Sequence, residues 1–149
     1  MNAPANVGEP MLAIRKSYKA SAAAIFEAFT KPEALNQWFG AYDRPVASSV
    51  DLTVGGAWSI EMEMPSGETA TVSGKYLEIV PGKRLVYTWA WGGTPDRVSQ
   101  VAIDLAEHGE ETQLTLTHTK FYDEAARDGH HQGWEACLKN LPDYLETLA

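Results

Sequence analysis

Two stretches decide the fold: Ala57-Trp58-Ser59-Ile60-Glu61-Met62-Glu63-Met64 and Arg84-Leu85-Val86-Tyr87-Thr88-Trp89-Ala90-Trp91. In both, the bulky apolar groups fall on alternate residues: Trp58, Ile60, Met62 and Met64 in the first, Leu85, Tyr87, Trp89 and Trp91 in the second. Successive strand side chains point to opposite faces, so each set lines one side of a β-sheet, with Ser59, Glu61, Glu63, Val86, Thr88 and Ala90 on the other. An aromatic face this wide needs a cover. The only long amphipathic segment is C-terminal, carrying Trp134, Leu138, Leu141 and Leu145 on one stripe. A sheet wrapped around a helix is therefore expected, and what fills the space between them decides function.

The flanking chain fits the same plan. Leu12, Ile14, Lys16 and Tyr18 alternate with Ala13, Arg15, Ser17 and Lys19, which predicts a first strand with one wetter face. Ser21 is a good N-cap for a short helix over Ala22 to Phe29. Pro32 opens a second short helix bearing Leu35, Trp38 and Phe39, closed by Gly40. Alternating runs follow at 46–54, 57–64, 68–80, 84–91, 97–106 and 112–119, separated by Gly55-Gly56, Pro65-Ser66-Gly67, Pro81-Gly82, Gly92-Gly93-Thr94-Pro95 and His108-Gly109. Connections this short make the sheet antiparallel.

Around Gly74 the apolar phase slips between Tyr76 and Leu77, which predicts a bulge that helps bend the sheet. Pro142 removes a backbone donor within the final helix, so a kink is expected there. The whole reads as an α+β domain of about seven strands, with its helices on one face of the sheet. Residues 1–10 read as a loose leader and residues 11–149 as a single domain.

Composition narrows the partners. A chain of 149 residues buries roughly 68 to 70% of its unfolded surface and needs no staples. Cys137 is the one cysteine, so no disulfide forms within the chain, and its place in the helical stripe marks it as a small hydrophobe. The net charge of −8 repels phosphate backbones and anionic lipid surfaces, so neither nucleic acid nor a membrane is an expected partner. Without a basic and apolar leader or a long apolar run, a cytoplasmic protein is expected.

Chemistry-bearing residues are few. His118 shares the inward register with Leu114 and Leu116, where an imidazole either bonds a ligand or is satisfied at the strand end. His130 and His131 diverge by about 100° on a helix and cannot share a metal ion, which leaves His130 to packing or capping. Glu61 and Glu63 occupy the register opposite Trp58 and face water. No serine stands in a nucleophile elbow, Cys137 has no placed histidine partner, and the glycine pairs are turn glycines. No catalytic residue, metal or cofactor is assigned.

In sequence the chain resembles a helix-grip protein of the START/Bet v-like (SRPBCC) superfamily, within the family named for the activator of the heat-shock protein 90 ATPase. The resemblance is carried by Ser21 to Thr30, Pro32 with Trp38-Phe39, Gly55-Gly56-Ala57-Trp58, Gly74 to Pro81, Arg84 to Trp89, Thr112 to His118, and His130 with Gly133-Trp134, and it spans residues 11–148. It implies a cavity between a curved sheet and the C-terminal helix, used by relatives for apolar molecules. It also implies a chaperone-binding, stress-response alternative, set against the activator's N-terminal domain, which the ten residues before the first strand do not supply.

The expected function is binding of a small apolar or aromatic molecule. Its expected lining is Trp38, Trp58, Ile60, Met62, Tyr87, Trp89, Trp91, Val101, Ile103, Leu116, His118, Phe121, Trp134, Leu138 and Leu141. A chaperone partner and a cyclase- or hydrolase-type enzyme using the same cavity are the alternatives, and a homodimer is left open. Methionines that adapt to a guest, and indole and phenol tips that a dry core struggles to satisfy, favour a cavity over solid packing.

Overall fold

The apolar alternation closes into one seven-stranded antiparallel sheet in the computed structural model, which describes residues 10–40, 44 and 46–148. All but Pro10 of the expected leader lies outside the described residues. The elements run β1 (Leu12–Tyr18), α1 (Ala22–Thr30), α2 (Pro32–Trp38), β2 (Val46–Val50), β3 (Ala57–Glu63), β4 (Thr69–Val80), β5 (Arg84–Trp91), β6 (Ser99–His108), β7 (Glu111–Thr119), α3 (Glu124–Leu138) and α4 (Leu141–Thr147). In space the strands lie in the order β1-β7-β6-β5-β4-β3-β2. From β1 the chain crosses by way of α1 and α2 to β2 at the far edge, then meanders back by hairpins until β7 pairs with β1. This is a helix-grip α+β fold.

Local chemistry places the helices. The Ser21 hydroxyl accepts from the Ala24 N–H at 3.1 Å and opens α1, while Pro32 occupies the first turn of α2. Ile25, Phe26 and Phe29 of α1 and Leu35 and Trp38 of α2 turn into the core. Asp123 caps α3 by accepting from the Ala126 N–H at 2.8 Å.

The bend of β4 comes from a register shift between Tyr76 and Glu78, so Leu77 is the extra residue and stands exposed. Gly74 has a separate role. A Cβ there would collide with the Thr88 carbonyl oxygen, so only glycine lets β4 and β5 approach at that point. Lys75 N–H is met by the Thr88 hydroxyl at 2.9 Å.

The C-terminus departs from the expected kinked helix. It is two helices, α3 and α4, parted at Lys139-Asn140. Pro142 offers no N–H to continue the ladder and so sits in the first turn of a new helix. The break also frees Asn140, whose amide nitrogen donates to the carbonyls of Trp38 at 3.1 Å and Gly40 at 3.0 Å. Those carbonyls lie at and just past the end of α2, so one side chain ties α2 to the α3–α4 junction. No helix among the described residues is long and apolar enough to cross a membrane.

Candidate functional site

Three structural pieces enclose a pocket of ≈ 310 Å³ between α3 and the sheet. Strands β3 and β5 supply Met62, Trp89 and Trp91, with Met64 just past β3; the residues after α2 supply Phe39 and Gly40; α3 supplies Ala125, Ala126, Gly129, His130, Gly133, Trp134 and Cys137. Positions 126, 130, 133, 134 and 137 recur at helical spacing, so one face of α3 forms one wall. That face alternates glycine and alanine with larger rings. Gly129 and Gly133 leave room: a Cβ on either would meet nothing within 4 Å. Met64, Trp91, Ala126, His130 and Gly133 are only half-buried and Gly129 is exposed, so the pocket opens to water along this rim.

His130 is the polar centre of the site. Its Nε2 accepts from the indole N–H of Trp91 at 2.9 Å and of Trp89 at 3.2 Å, and its Nδ1 lies 2.7 Å from the Ala126 carbonyl. An imidazole nitrogen accepting two indoles must carry a lone pair, so the proton is on Nδ1, donating to that carbonyl. Burial lowers the His130 pKa, and the Ala126 bond only partly offsets it. The ring therefore stays neutral and is fully occupied.

Beneath it, His118 is locked in the opposite tautomer. Its Nδ1 accepts from the Trp134 N–H at 3.0 Å, leaving Nε2–H to donate to the Ser99 hydroxyl at 2.7 Å, which in turn donates to the Trp89 carbonyl at 3.3 Å. His118 has no exposed surface, and desolvation, followed by the nearby His130, pulls its pKa down to about 2. Phe121 lies tilted over it with ring centroids 4.2 Å apart, and Trp89 and Trp134 approach edge-on at 5.5 and 6.3 Å. His118 is a satisfied core residue that fixes the indoles above it.

The Cys137 thiol accepts from the Gly40 N–H at 3.3 Å, and burial pushes its pKa up to about 12. A protonated, buried thiol is a wall and a tether, and a poor nucleophile. Among the described residues no group of three metal-ligating side chains occurs, and His131 is exposed with Glu135 at 3.8 Å. The pocket thus presents apolar surface, with its few polar groups already engaged.

Of the residues expected to line a cavity, Met62, Trp89, Trp91 and Trp134 do line this pocket. Trp58, Ile60 and Tyr87, with Trp89 again, surround a separate void of ≈ 10 Å³ nearer α1 and α2. Trp38, Val101, Ile103, Leu116, His118, Phe121, Leu138 and Leu141 are buried in the packed core and line neither space. The expectation that the indole tips lack partners also changes. Four of the five tryptophan N–H groups are met by protein atoms, Trp38 by the Ala28 carbonyl at 2.8 Å, and only Trp58 is left unpartnered among the described residues.

Apart from Trp134, the α3 wall lies outside the lining expected from sequence, as do Phe39, Gly40 and Met64. The available signal was the run of small residues at 125, 126, 129 and 133, spaced to share one helical face. Two larger grooves, of ≈ 480 and ≈ 490 Å³, lie elsewhere: one beside Lys16, Lys19 and Lys139, the other on the outer sheet face beside Ser59, Ser73 and Lys75. Both are wetter, and of the aromatic face only Trp58 and Trp91 reach the second.

Comparison with known proteins places this geometry. No curated protein matches the chain. Among solved structures, protein CV1439 from Chromobacterium violaceum is 26% identical with a TM-score of 0.84, covering 91% of this chain and 97% of that one. Mll3558 from Rhizobium loti is 26% identical with a TM-score of 0.75, covering 92% and 97%. CalU16 from Micromonospora echinospora is 28% identical with a TM-score of 0.65, covering 91% and 75%. The family model described as Activator of Hsp90 ATPase homolog 1-like protein matches residues 19–146, from the turn after β1 into α4. With that match spanning nearly every element that builds the pocket, the chain belongs to the Activator of Hsp90 ATPase homolog 1-like family, within the SRPBCC/Bet v-like superfamily.

Proposed function

We propose that this protein binds a small uncharged apolar or aromatic molecule in the pocket between α3 and strands β3 and β5. The observation that carries the reading is the pair Gly129 and Gly133, interior to a helix and facing the pocket with nothing within 4 Å of their missing Cβ atoms. Glycine inside a helix costs about 1 kcal/mol relative to alanine, and alanine would fit here. The helix therefore keeps open space at the expense of stability, opposite Met62 and Met64, whose flexible thioethers adapt to varied guests. The volume of ≈ 310 Å³ is at the lower end of ligand sites, about 300 to 1,000 Å³, which suits a molecule of one or two rings. With His130 fully bonded and Cys137 protonated, the guest is held by shape and dispersion rather than by charge.

Trp89, Trp91 and Trp134 line the pocket, so titration with a library of uncharged aromatic compounds, read by tryptophan fluorescence, tests the reading directly. Saturable quenching is expected, and it should be lost in Gly133→Leu, which fills the space from the helix side. Flat titrations across the library would remove the proposal.

A further inference from the structure

The ≈ 10 Å³ void lies deeper than the pocket and is lined by three aromatic residues with polar tips, Trp58, Tyr76 and Tyr87. Trp58 is 5% exposed, and its indole N–H has no partner among the described residues. Its ring meets Tyr87 edge-on at 5.2 Å, and Tyr87 meets Tyr76 in the same way at 6.1 Å. The void's size is about the space that the centre of one water molecule needs. Buried N–H groups in native proteins are almost always paired, by protein or by an ordered water. Phe39 and Trp89 wall both the void and the outer pocket, so the two spaces are neighbours across those rings.

We propose that this void is a site for a single hydrogen-bond-accepting oxygen, held by the Trp58 N–H beside Tyr76 and Tyr87. An indole N–H can only donate, so its partner must be an acceptor. Burial raises the pKa of both tyrosines, which keeps their hydroxyls neutral and able to donate or accept. One oxygen satisfies the indole and has capacity left for a hydroxyl. Its source is either a water molecule or the carbonyl tip of a guest in the outer pocket. The second source rests on the ligand-binding reading above, and the first does not. In that second case the guest is an aromatic ketone or aldehyde rather than a plain hydrocarbon.

Nitrogen-labelled tryptophan separates the sources. A cross-peak between the Trp58 indole proton and long-lived water in the free protein assigns the oxygen to solvent. For the second source the probes are acetophenone and ethylbenzene, which have nearly the same shape and differ in the carbonyl. If the carbonyl reaches the site, acetophenone binds roughly threefold to tenfold more tightly, shifts the Trp58 indole resonance, and loses its advantage in Trp58→Phe. Should Trp58→Phe fail to fold, the wild-type Trp58 resonance carries both measurements. If neither probe binds, the outer-pocket reading fails and the water cross-peak alone decides the inner site. No water cross-peak together with no acetophenone preference overturns the proposal.

Discussion

Trp91 and His130 meet at 2.9 Å across the edge of the pocket, the indole N–H of β5 donating to the imidazole of α3, 39 residues further along the chain. With the second indole, Trp89, on the same nitrogen, this contact is the polar link between α3 and β5 at the pocket. It also spends the lone pair that a basic His130 would need for a proton. The pocket's walls are therefore tied together by a bond that exists only while the histidine is neutral.

Acid should loosen the fold. The pKa values of His118 and His130 are both lowered on folding, so below the unfolded value of about 6.5 the unfolded chain takes up protons that the native one refuses. Their contribution is present above that pH and is lost as pH falls toward the folded values. For His118 alone, with a folded pKa of about 2, the loss between pH 7 and pH 5 is about 2 kcal/mol. Urea midpoints measured at the two pH values check this, and equal midpoints contradict it.

Removing the acceptor should separate the two histidines by their indoles. His130→Ala leaves the N–H groups of Trp89 and Trp91 without their partner, at a cost of about 1 to 3 kcal/mol, lessened where pocket water reaches them. In nitrogen–proton spectra the Trp89 and Trp91 indole resonances should move. That of Trp134, bonded to His118, should move less. A uniform change in all three would mean general loosening instead.

The pocket glycines should trade stability against binding. Gly129→Ala and Gly133→Ala each add a Cβ into open space and should raise unfolding stability by about 0.5 to 1 kcal/mol. Each narrows the cavity, so affinity for a guest that fills it should fall while the melting temperature rises. Destabilisation by either alanine would show that these glycines serve backbone geometry rather than space.

Asn140→Ala should weaken the joint that holds Phe39 and Gly40 against the pocket. Two hydrogen bonds to the carbonyls of Trp38 and Gly40 disappear, and a loss of about 1 to 2 kcal/mol is expected. Hydrogen exchange at the Phe39 and Gly40 amides should rise, since both N–H groups are bonded in the native state, to the Leu35 carbonyl and the Cys137 thiol. Unchanged protection there would place the joint elsewhere.

The Cys137 thiol should be silent toward aromatic disulfide reagents while the protein is folded. Burial raises its pKa to about 12, so almost no thiolate exists at neutral pH. Labelling should follow the same denaturant midpoint as the unfolding transition seen by fluorescence. Rapid labelling of the native protein would show that α3 lifts from the sheet without global unfolding.

Much of this architecture is written in alternation. The pairs Trp58 and Met62, Tyr87 and Trp89, and Leu114 and His118 announce the inward face of each strand, and Ser21, Pro32 and Gly40 mark where the first two helices start and stop. The pocket was less legible. A cavity wall made of Ala126, Gly129 and Gly133 gives no hydrophobic signal, because a missing side chain has no periodicity of its own. The sequence reading accordingly sought the cavity among the largest side chains, whereas residues such as Trp38, Ile103 and Leu141 pack solidly. In its local context His130 reads as packing or capping, since its partners on β5 lie 41 and 39 residues away and nothing nearby names them.

Chain order alone thus determined the sheet, its antiparallel hairpins, the aromatic inner face and the helix that covers it, because strand and helix periods follow from backbone geometry and are local. Tertiary structure alone decided where the aromatic face closes and where it stays open. That outcome depends on which distant polar groups find each other: Trp89 and Trp91 on His130, Trp134 on His118, and Asn140 on the carbonyls at and just past the end of α2. Burial makes the Trp134–His118 bond obligatory, the half-buried bonds to His130 and from Asn140 hold the helices beside it, and their combined geometry sets the spacing that leaves a pocket beside Gly129 and Gly133.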